Sequence, residues 1–361
     1  MNDFAKFFLN EDWKGVPTAA RVYLGAFGKH PGWNDHLDDI GLVTSSMVEA
    51  RSILYGGIAH QIEHAVWEKA GADKVMPGFE HMIHWRRLNE SLTGLIWSSQ
   101  DGKGRALYPM ITVAHCVTRS FSWLANELLP ALEDVKTKCR GTTSASVVIA
   151  TIRGAEQSLQ ARFPRAPHVS SSPGLGVAAW AAYFSNEQVA LRRLLHHLRR
   201  NFAPFTPGSL EWCKGDKQAL SRCLRLPQIP GAQPAESLNA WVSFLASQLD
   251  PAVPLFGLLP TGRNWLDVIV GEPGPADFFL LRALPVGLPV VTDIPYQLDA
   301  ESSANDAGLF ASLARGQLPE VSCLNGQPVK ANQEAAAKWL VRFRPGSRPG
   351  FFSRLFGFGG S

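Results

Sequence analysis

The sequence is short of several things that would make its function easy to read. It has 5 cysteines in 361 residues, an odd number with no CxxC pair, so neither a disulfide scaffold nor a structural zinc knuckle is expected. Cys116, Cys139, Cys213, Cys223 and Cys323 are expected to act as small buried hydrophobes in a reducing compartment. No uninterrupted apolar run is long enough to span a bilayer, and Asn10, Glu11 and Asp12 break the short apolar stretch of the N-terminus, which does not read as a secretory signal. The chain has no G-x-x-x-x-G-K-[ST] loop, and Gly102 to Arg105 lack the following helix that a phosphate cradle needs. There is no G-x-S-x-G elbow, and Cys116 and His115 are neighbours on an expected strand, so their side chains face opposite ways. Charged residues make up only 18% and hydrophobic ones 45%, which excludes a disordered chain.

What is present is enough for two cores, and two domains are expected from length alone. The net charge of +4 is local: five basic residues (Lys338, Arg342, Arg344, Arg348, Arg354) fall in the last 24 residues, which hold no acid. The remaining 30 basic and 31 acidic residues nearly cancel, so the body shows no nucleic-acid footprint. The tail FFSRLFGFGGS reads either as a frayed terminus or as a docking segment for an anionic membrane surface or a partner groove, through Phe351, Phe352, Leu355 and Phe356.

Along the chain, Arg21–Gly28 reads as a strand and Ser45–Lys69 as an amphipathic helix. Leu92–Ser98 and Tyr108–Val117 read as a hairpin, and Phe121–Lys138 and Ser144–Phe163 as helices. HMIHWRR (81–87) reads as helix surface and Trp180–Phe184 as a short strand. Glu187–Asn201 reads as a helix with Val189, Leu191, Leu194, Leu195 and Leu198 inward and Arg192, Arg193, Arg199 and Arg200 on a solvated face. The sequence QIPGAQ marks a boundary. Beyond it come a helix at Glu236–Leu249, strands at Leu255–Leu259, Trp265–Val270 and Phe278–Leu284, and helices at Ala307–Arg315 and Glu334–Val341. Strict strand–helix alternation is lacking, which favours α+β layers over a doubly wound sheet. The expected divisions are a leader (1–20), a first α+β domain (21–226), a second α/β domain (235–341) and the tail (342–361).

Seven of the ten histidines lie between positions 30 and 115. His60-Gln61-Ile62-Glu63-His64 matches H-x-x-E-H, the inverted zincin pattern, with two imidazoles one helical turn apart and a carboxylate between them. No third ligand is marked downstream. A packed or solvated helix face is the plainer reading, with a zinc-dependent hydrolase built on His60, Glu63 and His64 as the alternative. His196 and His197 are adjacent on one helix and cannot readily share an ion.

Two further segments carry a pattern of their own. Gly25-Ala26-Phe27-Gly28-Lys29-His30-Pro31-Gly32-Trp33-Asn34-Asp35 resembles the N-terminal signature of the type VI secretion accessory family TagF/ImpM, approximately G-x-[FY]-G-K-L-P-x-x-G-D-F. Gly94 to Met110 is similar to the family's second signature, matching at Gly94, Ser99, Asp101, Gly104, Arg105, Tyr108 and Pro109. His30, Asn34 and His36 replace the family's Leu, Gly and Phe, Ser98 stands where Pro is usual, and one extra residue separates Arg105 from Tyr108. The resemblance implies a divergent member over roughly residues 21–140. The expected fold is α+β, a layered sheet flanked by helices, with a longin- or profilin-like arrangement as one form of it, plus a second, smaller α/β unit. The implied function is that of a non-enzymatic cytoplasmic adaptor, without cofactor, that restrains type VI secretion by binding an FHA-domain component of the apparatus. The tail would add a contact with the inner membrane surface. The signature residues Lys29, Pro31, Trp33, Asp35, Asp101, Arg105 and Tyr108 read as scaffold or as a partner-binding face. Asp35 and Arg105, joined by Lys29 and Asp101, are expected to meet as one charged cluster.

Overall fold

The computed structural model describes residues 21–66, 79–88, 90–117, 121–163, 176–207, 209, 221–285, 287–298, 306–318 and 334–340. Seven strands form one antiparallel sheet: β1 (Val22–Gly28), β2 (Glu80–Arg86), β3 (Glu90–Trp97), β4 (Met110–Val117), β5 (Ser221–Pro227), β6 (Leu255–Pro260) and β7 (Trp265–Gly271). Their spatial order is β1-β4-β3-β2-β6-β7-β5, and with the helices below it makes an α+β fold. The β2–β6 ladder, in which His84 faces Gly257, joins strands from either side of the QIPGAQ boundary into one sheet.

The helices are α1 (Ser45–Glu63), α2 (Leu129–Arg140), α3 (Ala145–Arg162), α4 (Val177–Asn186), α5 (Gln188–Asn201), α6 (Pro234–Gln248), α7 (Ala307–Ala314) and α8 (Glu334–Leu340). A short turn of helix at Phe121–Trp123 and a π-helical turn at Leu124–Leu128 lead into α2. Thr44 caps α1 by accepting the Met47 amide at 3.3 Å. Pro234 opens α6, where the Glu236 carboxylate accepts the Gln233 N–H at 2.8 Å.

Both sheet faces are covered, because alternate residues of each strand meet helices on opposite sides. On one face Trp85 packs on Phe256, and Phe256 on Phe278 of the 3-10 helix Pro275–Arg282, against which α1 lies. On the other, His84 meets Phe121, and Gly257 leaves room for Leu238 of α6. Every residue of β1, β6 and β7 is therefore buried. The outer edges are covered as well: Ala26 exchanges backbone hydrogen bonds with Ile40, and Arg225 bridges to Val290.

Several expectations are corrected. The segment HMIHWRR is strand β2, with His81 and His84 buried rather than on a helix surface. Trp180–Phe184 lies in helix α4, where Trp180 and Phe184, one turn apart, pack ring on ring at 5.0 Å. Phe278 to Arg282 belongs to a 3-10 helix instead of a strand. Val189 is 59% exposed instead of inward, and Arg199 is buried instead of solvated. Strand β5 was not anticipated. Cys116, Cys139 and Cys223 are buried thiols, while Cys213, Cys323 and the tail with Phe351, Phe352, Leu355 and Phe356 lie outside the described residues.

Candidate functional site

The end of β1 and the loop before β4 form the site that the two signatures mark. Gly28 ends β1 at φ +114°, a conformation open to glycine, and any side chain there would collide with the Pro109 carbonyl. That close approach sets the two loops side by side. The Gly102 amide donates to the Trp33 carbonyl at 2.7 Å, and Lys29 N–H donates to Pro109 at 3.1 Å.

The four charged residues meet between the loops. The Lys29 ammonium, buried at 4% exposure, donates to Asp35 Oδ1 and Asp101 Oδ2, each at 2.8 Å. Arg105 Nε donates to Asp101 Oδ2 at 2.7 Å, its Nη2 reaches the Asn34 carbonyl at 2.8 Å, and it lies 3.3 Å from Asp35. The other Asp101 oxygen accepts the amides of Lys103 and Arg105 at 2.9 and 3.0 Å, so both carboxylate oxygens are fully engaged. Burial alone would raise the Asp101 carboxyl, but the Lys29 ammonium, the two amides and the Arg105 guanidinium hold it far below the usual carboxylate range. Asp35 is held at about 2, chiefly by its hydrogen bond from Lys29. It is the outward member of the cluster, its side chain 69% exposed beside the half-exposed Arg105.

Neighbouring side chains fix this arrangement. Pro31 and Trp33 are half-buried, and Trp33 donates from Nε1 to Asp38 at 3.3 Å. His30, standing where the family has Leu, ties the loop to the end of α2: Nε2 donates to the Cys139 carbonyl at 2.9 Å, and Nδ1 accepts the Gly32 amide at 3.0 Å. Tyr108 lies in an aromatic cluster with His36 (5.0 Å) and Tyr55 (5.5 Å), and Leu107 beside it is 49% exposed. The surface thus offers an exposed carboxylate, a guanidinium and an aliphatic side chain on a braced loop pair.

The H-x-x-E-H residues fall at the end of α1. The His60 and His64 rings stack at 4.2 Å, His64 Nδ1 lies 3.0 Å from the His60 carbonyl, and Glu63 is exposed. Among the described residues no group of three or more His, Cys, Asp and Glu is placed to hold a metal ion.

A second polar network had no marker in the sequence. Thr44 Oγ1 is 2.8 Å from His115 Nδ1, His115 Nε2 is 2.8 Å from Glu90 Oε2, and Ser46 Oγ donates to Glu90 at 2.9 Å. The order hydroxyl–imidazole–carboxylate is that of a hydrolase relay. Thr44 and His115 are 1% and 0% exposed, however, and Thr44 also caps α1. The network ties the start of α1 to β3 and β4. On the opposite face, a cleft of about 670 Å³ is floored by Met82, Leu95 and Leu259 and walled by α2 and the start of α6.

No helix among the described residues is long and apolar enough to cross a membrane. No family model matches the chain, and no curated protein matches it significantly in sequence. Among solved structures the chain is similar to the crystal structure of PA0076 from Pseudomonas aeruginosa PAO1, at 16% identity and a TM-score of 0.36 over 74% of this chain and 97% of that one. A likeness of that size supports no functional argument.

Proposed function

We propose that this chain is a non-enzymatic adaptor or regulator that acts by protein–protein binding, in the way its resemblance to TagF/ImpM implies. In that reading it works in the cytoplasm and restrains a type VI secretion system by holding an FHA-domain component of the apparatus, while the basic aromatic tail contacts the inner membrane surface. The observation that carries the reading is the Lys29–Asp101–Arg105–Asp35 cluster. Its inner ion pairs are saturated, and its outer charges, Asp35 and Arg105, stand exposed on a braced loop pair. A rigid charged surface with aliphatic and aromatic neighbours suits recognition of a folded partner, because little ordering entropy is lost on docking.

Affinity capture of the full chain from its native cells, read by mass spectrometry, tests the reading. Enrichment of secretion-apparatus components over a control bait is the expected result. Capture that enriches none of them, from cells that express the apparatus, overturns it.

A further inference from the structure

Helix α5 carries Arg192, Arg193, His196, Arg199 and Arg200 at spacings of three and four residues, which place them on one stripe. That stripe is covered. His196, His197 and Arg199 are buried and Arg192 and Arg193 half-buried, beneath a strap made of the 3-10 turn Val291–Asp293, Tyr296 and the start of α7. Arg193 donates to the Thr292 carbonyl at 3.5 Å, Arg199 pairs with Asp306 at 2.7 Å, and the Arg192 guanidinium lies 5.3 Å from the centre of the Phe310 ring.

The two imidazoles hold Tyr296 between them. His196 meets its ring edge to face at 4.6 Å, and neither ring nitrogen of His196 has a hydrogen-bond partner among the described residues. His197 Nδ1 is 2.8 Å from the Tyr296 hydroxyl and 3.3 Å from Asn201 Nδ2. The Asn201 amide nitrogen can only donate, so Nδ1 accepts, and the ring carries its proton on Nε2. Asp306 is engaged by Arg199, and Asp293 and Glu187 act on Tyr183. Among the described residues, Arg200 and Arg199 act on His196, and His196 and Arg200 on His197, all of them disfavouring a further positive charge. Asp299 and Glu301 lie in sequence between the strap and α7, outside the described residues.

A proton on His197 Nδ1 would oppose the Asn201 N–H and force the Tyr296 hydroxyl to turn from donor to acceptor, and a proton on His196 would add a cation to the centre of an arginine stripe. We propose that His196 and His197 form an acid-operated latch, which on protonation releases the strap 291–296 and α7 from α5 and uncovers the arginine stripe while the central sheet stays folded. Burial holds His196 at about 4 and His197 at about 3, so the latch is closed at neutral pH. In the released state both rings return to the ordinary range near 6.5. Lowering the pH from 7 to 5 then favours release by about 20-fold per histidine, or about 400-fold for the pair.

Amide hydrogen exchange of the full chain at pH 7 and pH 5, corrected for intrinsic rates, tests the latch. Protection in 188–201, 291–296 and 307–314 is expected to fall by about 400-fold and at pH 5 to lie well below that of β3 and β4, which exchange only through unfolding of the sheet. His196→Phe, which keeps a ring against Tyr296, is expected to cut that fall to about 20-fold. Exchange of these segments in step with β3 and β4 at both pH values overturns the proposal, and so does an undiminished fall in His196→Phe. If that variant does not fold, the wild-type comparison decides alone.

Discussion

Breaking the Arg225–Asp267 pair gives the sharpest energetic test of the fold. Arg225 of β5 and Asp267 of β7 are opposite each other in the ladder and buried at 2% and 0% exposure. Nε and Nη2 of Arg225 donate to the two carboxylate oxygens at 2.6 and 2.9 Å, while Nη1 donates to the carbonyls of Leu284 and Leu288 at 2.8 and 2.9 Å. The guanidinium also lies 4.5 Å from the centre of the Trp265 ring. Asp267→Leu leaves a buried cation with only carbonyls and a ring for company, and breaking such a pair costs about 3–5 kcal/mol. Arg225→Met leaves a buried carboxylate and two carbonyls without donors, so it costs at least as much. The double variant removes both charges, which by itself is close to neutral, and retains the penalty of the two orphaned carbonyls, about 1–3 kcal/mol each at most. Urea unfolding of the four proteins therefore gives a double variant more stable than Arg225→Met, which carries the same carbonyl penalty and a buried carboxylate besides, with a coupling energy above about 2 kcal/mol. Single losses under about 1 kcal/mol, or strictly additive losses, would refute the reasoning.

Three further outcomes follow from the same geometry. His81 and His84 are fully buried and held at about 4 by burial, the loss of solvation outweighing the Leu281 hydrogen bond at His81, so in the window from about 6.5 down to about 4 the unfolded chain binds more protons. Stability is thus complete above that window and falls through it, by about 2 kcal/mol per histidine at pH 5, and equal urea midpoints at pH 7 and pH 5 would contradict the assignment. Gly28→Ala, forced against the Pro109 carbonyl at positive φ, should lose at least about 1 kcal/mol, and an unchanged melting temperature would count against the required glycine. Asp101→Ala removes the acceptor of four donors and should speed tryptic cleavage after Lys103 and Arg105, whereas Asp35→Asn should not. Similar cleavage rates in the two variants would show that Asp101 does not brace the loop.

The α+β class, β1, the β3–β4 hairpin and most of the helices were legible, because caps, glycines and helical spacing are local signals. Strand β2 was not. Both of its faces are buried, so His81 and His84 gave no polar–apolar alternation, and their spacing of three mimicked a helix face. Helix α4 was hidden by an apolar run in which Trp180 and Phe184 look β-forming; burial against Trp241 and Phe244 of α6 decides for helix. The arginines of α5 read as solvated because the strap that covers them arrives about a hundred residues later. At the site, the meeting of Lys29, Asp35, Asp101 and Arg105 was anticipated from the two segments that carry the resemblance, whose charged residues read as joining the first loop to the hairpin. The Thr44–His115–Glu90 network was not, since its members are far apart in sequence and none stands in a motif.

The central claim is that the outer charges of the loop cluster recognise a protein partner. It is tested most directly by titrating the FHA-domain component of the native secretion apparatus into the full chain and into Asp35→Lys, whose side chain is 69% exposed in the wild type. Saturable binding by the wild type and at least about tenfold weaker binding by Asp35→Lys, with an unchanged circular dichroism spectrum, is the predicted result. Absence of wild-type binding, or equal affinity in the two proteins, would contradict it.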